Sequence, residues 1–135
     1  MPKGFILDHV ALIVHDIEAS AAFYMKYAGM KIIHEREEHG VRVKWVQLPD
    51  QTDFMIVMIE NKDFSSEGKH SMDHFGFHVN NREQIDSIAS QAKADNCLKI
   101  DAYDGGPILG YLCEVRDPDD NVLEFAYDQM AVEPA

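Results

Sequence analysis

Hydrophobic and polar positions alternate with a period of two through Asp8-His9-Val10-Ala11-Leu12-Ile13-Val14, and again about half a chain later through Asp73-His74-Phe75-Gly76-Phe77-His78-Val79. Successive side chains of a strand point to opposite faces. Val10, Leu12 and Val14 therefore share one face and His9, Ala11 and Ile13 the other, just as Phe75, Phe77 and Val79 oppose His74, Gly76 and His78. Each copy predicts a strand with one face built for packing and a histidine turned away from it. The period then becomes helical. After the first copy Asp16 offers an N-cap, Ile17 to Ala28 reads as a helix with Glu18 at its positive end, and Gly29 suits a left-handed cap. After the second, Asn81 and Gln84 have the spacing of a capping box. Ile85, Ile88, Ala89 and Ala92 follow as an apolar stripe, and the helix ends near Asp95-Asn96.

More strands complete each copy. A tail, Met1 to Gly4, leads into the first strand, expected over Phe5 to Val14. Met30 to Arg36 and Val41 to Leu48 read as strands joined by a tight turn at His39-Gly40. Val41, Val43 and Trp45 alternate there with Arg42 and Lys44, the pattern of a half-buried strand. Phe54 to Ile59 is continuously apolar and is expected to be buried on both faces. The polar stretch Asn61 to Ser71 reads as a linker. In the second half a short strand is expected over Leu98 to Ala102, a loop over Asp104-Gly105-Gly106-Pro107, and strands over Gly110 to Arg116 and Val122 to Tyr127, with Met130 to Ala135 as a tail. The sum is an α+β fold of two tandem βαβββ modules, about 5–60 and about 72–128, within a single domain, 1–135.

Charge and cysteines narrow the function classes. With 24 acidic and 12 basic residues the formal charge is −12, which repels phosphate backbones and anionic lipid, so neither nucleic acid nor a membrane surface is an expected partner. No apolar run is long enough to span a bilayer. Cys97 and Cys113 have no C-x-x-C spacing and the N-terminus does not resemble a signal peptide, which together point to a reducing, cytoplasmic setting.

Candidate chemistry begins with Glu124, a lone carboxylate in the apolar run Val122-Leu123-Glu124-Phe125-Ala126. A mid-strand charge is costly to bury unpaired. If His9 and His74 face the same surface, two imidazoles and one carboxylate form the facial set used for Fe(II), Mn(II) or Zn(II), with other positions open to water or substrate. A strand histidine alone also reads as a hydrogen-bonded structural residue, and Glu124 alone as an edge-strand carboxylate. Of the remaining histidines, His15, His34, His39 and His70 fall in turn or surface contexts, and His78 shares a face with His74. The methionines read as core filler.

Nearly the whole chain resembles the vicinal oxygen chelate superfamily, which includes glyoxalase I, methylmalonyl-CoA epimerase, fosfomycin resistance proteins and extradiol dioxygenases. The resemblance rests on Asp8-His9 and Asp73-His74 opening the two modules, on Ser20-x-x-Phe23-Tyr24 with Gly29-Met30, and on Asp117-Pro118-Asp119-Asp120-Asn121 leading to Leu123-Glu124-Phe125. It implies a curled, mostly antiparallel sheet around a metal and substrate cavity, with His9, His74 and Glu124 on three ligand positions for a divalent ion (Fe2+, Mn2+, Zn2+ or Ni2+). It also implies a homodimer, whose paired modules come from one chain or from two. Two positions depart from the pattern. Asp120 stands where glycine is usual, and Val57 where four-ligand members carry Glu or Gln. Glu60 is three residues further on, and an odd shift changes the face. Three ligands favour a dioxygenase-like or fosfomycin-resistance-like reaction on a small oxygen-rich substrate. A glyoxalase I-like lyase or isomerase and a non-catalytic drug-binding protein are the alternatives, and no residue is assigned a catalytic role.

Overall fold

The computed structural model describes residues 4, 7–65, 67 and 72–130. The expected tails at 1–3 and 131–135, the start of the first strand at 5–6 and the later linker at 66 and 68–71, with His70, lie outside the described residues. The chain divides into two compact units, Met1–Ser66 and Glu67–Ala135.

The first unit runs β1 (His9–Val14), α1 (Ile17–Ala28), β2 (Lys31–Glu38), β3 (Val41–Gln47), β4 (Met55–Glu60). Its sheet has the order β1-β4-β3-β2, with β1 parallel to β4 and the other pairs antiparallel. The second runs β5 (Phe75–His78), α2 (Arg82–Ala94), β6 (Leu98–Asp104), α3 (Gly106–Leu109), β7 (Tyr111–Arg116), β8 (Val122–Tyr127). Its order β5-β8-β7-β6 repeats the first, again with one parallel pair. The fold is α+β, with two open four-stranded mixed sheets. Among the described residues no helix is long and apolar enough to cross a membrane.

Local chemistry explains the element ends. Asp16 accepts the Ala19 N–H at 3.1 Å, and Gly29 closes α1 at φ 66°. Asn81 accepts the Gln84 N–H at 2.9 Å, while the Gln84 side chain reaches back to the Asn80 N–H at 2.7 Å, one residue beyond a standard capping box. His39 and Gly40, at φ 53° and 78°, form the primed turn that matches strand twist. The expected loop at 104–107 instead winds into α3. Pro107 supplies a preset φ for its first turn, and Asp104 accepts the Gly106 N–H at 2.9 Å.

α1 and α2 each cover one face of the sheet in their own unit. In the first unit Leu12, Val14, Val46, Ile56 and Met58 are buried on the side of Ile17, Ala21 and Tyr24. β4 is therefore not buried on both faces as its apolar run suggests, because Val57 and Ile59, on the side away from α1, are only half-buried. β3 also differs from its reading. Lys44 is buried on the α1 side, with Nζ 3.1 Å from Glu18 and 3.3 Å from Glu35. Two carboxylates make a buried ammonium tolerable. Arg42 also pairs with Glu18, so its guanidinium and Lys44 hold the Glu18 carboxyl below its ordinary range. Trp45 consequently lies on the face away from α1. In the second unit Ile85, Ala89 and Ala92 of α2 are buried, as are Cys113, Val115, Leu123 and Phe125 on the strands. Burial pushes the Cys113 thiol up to about 12, so it is a core residue and not a nucleophile.

Candidate metal centre

In the second unit strand parity puts the polar groups together. Phe75 and Phe77 pair with Leu123 and Phe125, whereas Gly76 stands opposite Glu124, and Glu124 opposite Glu114 on β7. Gly76, Glu124 and Glu114 thus share the face away from α2, and His74, immediately before β5, is on that side. Its Nε2 lies 3.9 Å from Glu124 Oε1. That is too long for a hydrogen bond. It fits two donors on one ion, which at about 2.1 Å each are at most about 4.2 Å apart. A Cβ at Gly76 would lie in ordinary van der Waals contact with Glu124, 3.6 Å from Oε2.

Each imidazole is oriented by the residue before it. Asp73 Oδ2 is 2.7 Å from His74 Nδ1, and Asp8 Oδ1 is 2.6 Å from His9 Nδ1. A carboxylate on Nδ1 fixes that nitrogen as the N–H and leaves the Nε2 lone pair for a cation. The Asp73 bond, with the Glu124 charge adding to it, raises the His74 pKa above its ordinary value, and the same bond lowers that of Asp73. Glu114 and Glu124 side by side would repel. Lys99 neutralises Glu114 at 3.3 Å. Glu124 Oε2 receives the Gln129 amide N–H at 3.2 Å, and Gln129 Nε2 also donates to the Leu109 carbonyl at 3.2 Å.

The first unit repeats this register with one substitution. Ala11 stands opposite Val57 as Gly76 stands opposite Glu124, so Val57 occupies the place of Glu124, on the face of His9. Glu60 pairs with Val14 on the opposite, helix-covered face, and its Oε2 accepts the Ile17 N–H at 3.0 Å. It is committed to the positive end of α1. Trp45 is in register with Val57 and rests against the His34 ring, 4.5 Å between centroids. Among the described residues two buried polar atoms lack a hydrogen-bond partner, Trp45 Nε1 on the His9 face of one unit and His78 Nε2 on the His74 face of the other.

Of the residues read from the sequence, His74 and Glu124 are brought together within the second unit, and His9 holds the equivalent of His74 in the first. Among the described residues no group of three or more His, Cys, Asp or Glu side chains is arranged to hold a metal. Within the second unit His74, fixed at Nδ1, and Glu124, with Oε1 3.9 Å from its Nε2, have the chemistry of ligands for a divalent ion. Asp8 and Asp73 were visible in the sequence as doublets, but their part in fixing the rings was not. Nothing local marks Gln129.

The chain is 36% identical over 124 residues to the uncharacterised protein PA2024 of Pseudomonas aeruginosa, covering 91% of this chain and 89% of that one. Solved structures sharing the fold include a glyoxylase/bleomycin resistance protein/dioxygenase domain from Frankia sp. EAN1pec, with TM-score 0.74, 20% identity, and coverage of 91% of this chain and 97% of that one. A point mutant of the fosfomycin resistance protein FosX of Listeria monocytogenes, complexed with Mn(II) and 1S,2S-dihydroxypropylphosphonic acid, gives 0.71 at 20% identity, covering 93% of each chain. The trypanothione-dependent glyoxalase I of Leishmania major gives 0.74 at 17%, covering 93% of this chain and 88% of that one. Residues 6–125 match the profile of the Glyoxalase/Bleomycin resistance protein/Dioxygenase superfamily, and the chain belongs to that superfamily.

Proposed function

We propose that the chain is a metal-dependent enzyme that binds a divalent ion through His9 Nε2, His74 Nε2 and Glu124, and acts on a small, oxygen-rich substrate that chelates the ion. The observation that carries this reading is the repeated Asp–His pair, fixed at Nδ1 in both units, with Glu124 beside His74. When bound, the ion supplies Lewis acidity and a template for oxygen ligands. Asp8 and Asp73 hold the rings. The FosX structure complexed with Mn(II) and 1S,2S-dihydroxypropylphosphonic acid places a divalent ion and an oxygen-rich small molecule together in a protein of the same fold.

The reaction type follows from the first unit. Val57 can neither ligate nor move a proton, and Glu60 faces α1. With three protein ligands a six-coordinate ion keeps up to about three open positions. Dioxygenase-like or fosfomycin-resistance-like chemistry is therefore favoured over glyoxalase-like isomerisation. Protein loaded separately with Fe(II), Mn(II), Ni(II) and Zn(II) should be assayed for oxygen uptake with catechols, opening of the fosfomycin epoxide, and conversion of methylglyoxal–glutathione hemithioacetal. Turnover is expected in one of the first two assays and not in the third. Rapid hemithioacetal isomerisation, lost in Glu60→Ala, would overturn the three-ligand reading.

The proposed partner is a second copy of the chain. Sedimentation at micromolar concentration is expected to give a dimer, and a monomer would contradict it.

A further inference from the structure

Glu124 is held from behind. Gln129 Nε2 donates both to Glu124 Oε2 and to the Leu109 carbonyl, each at 3.2 Å. Both partners are pure acceptors, so chemistry fixes which end of the amide faces them. One amide nitrogen has two N–H groups, enough for both bonds at once. The backbone that carries Gln129 is pinned as well. Asp128, at φ 60°, bends the chain after β8, and the Met130 N–H donates to the Ile108 carbonyl at 3.0 Å. α3 reaches this segment because Gly110 follows it. Gly110 has φ 76°, and a Cβ there would collide with the Tyr127 carbonyl.

We infer that Gln129 is a positioning residue that engages Glu124 Oε2 and thereby presents Oε1 to the cation beside His74, with α3 and residues 128–130 as its brace. The inference rests on the reading of Glu124 as a ligand. The amide bond takes up part of the acceptor capacity of Oε2 and fixes the carboxylate's rotation, so Gln129 favours binding through Oε1 and sets the affinity. Loss of such an outer partner costs about 10–100-fold in metal affinity.

The test uses full-length wild type, Gln129→Leu, Gln129→Ala and Glu124→Gln. Mn(II) affinity is followed by the electron paramagnetic resonance of free Mn(II), the visible spectrum of the Co(II)-loaded protein reports coordination, and the apo proteins are melted. Gln129→Leu and Gln129→Ala are expected to bind Mn(II) about 10–100-fold more weakly, with an altered Co(II) spectrum and an unchanged apo melting temperature. Unchanged affinity and spectrum in both variants, while Glu124→Gln loses the ion, would overturn this inference alone. So would affinity that falls only in step with melting temperature. A wild type that binds no Mn(II) removes the metal reading and this inference with it.

Discussion

Glu124→Gln is expected to weaken divalent-metal binding by more than the about 100-fold upper range for loss of an outer-shell partner, whereas Glu60→Gln leaves it within about twofold of wild type. An ionised carboxylate is a far better partner for a hard cation than a neutral amide. The two glutamates differ because of strand parity. Glu124 faces Gly76 with an oxygen 3.9 Å from His74 Nε2. Glu60 faces Val14 and accepts the Ile17 N–H. Glu60→Gln should instead lower folding stability, by about 1 kcal/mol, as a charge leaves the N-terminal end of a helix. Isothermal titration with Mn(II) and urea melts of both variants separate these effects. Equal losses of metal affinity would support a four-ligand, glyoxalase-like centre.

Asp117→Ala should cost about 3 kcal/mol or more of folding stability, since removing a buried charged acceptor strands the donors it served. Asp117 is 3% exposed. Its Oδ1 accepts the Asp119 and Asn121 N–H groups at 2.9 and 2.8 Å, and Oδ2 accepts the Asn121 side-chain amide at 2.9 Å. These bonds shape the turn between β7 and β8, which carry Glu114 and Glu124. Against a typical total of about 5–15 kcal/mol the loss is large. Asp117→Asn, which keeps an acceptor oxygen, should cost about 1 kcal/mol. Urea midpoints of the two variants decide, and a loss under about 1 kcal/mol for alanine would show that the turn does not depend on this carboxylate.

What the sequence disclosed were the local signals. The Asp-His doublet read twice, Asp16 and Asn81 as caps, Gly29 as a terminator and His39-Gly40 as a tight turn all act within a few residues, and all lie where expected. Asp120 adopts φ 63°, as expected for an aspartate replacing glycine in the β7–β8 turn. The features that escaped depend on partners distant in sequence. Alternation assigned Lys44 to an outer face, but Glu18 and Glu35 draw it beneath α1. An apolar run suggested β4 buried on both sides, yet α1 covers one face and Val57 and Ile59 on the other are half-buried. Strand parity already turned Glu60 away from the Val57 face, but its bond to the Ile17 N–H joins it to a residue 43 positions away and could not be read locally. Gln129 had no local mark, because its meaning comes from meeting Leu109 and Glu124 through a left-handed bend at Asp128.

In the proposed centre His9 and His74 ligate one ion together with Glu124. Counting bound Mn(II) by electron paramagnetic resonance in wild type, His9→Ala and His74→Ala tests it most directly. About one ion per chain is expected in wild type, with binding lost in both variants while their circular dichroism stays native. Wild-type protein that binds no ion, or His9→Ala that binds as wild type does, would contradict it.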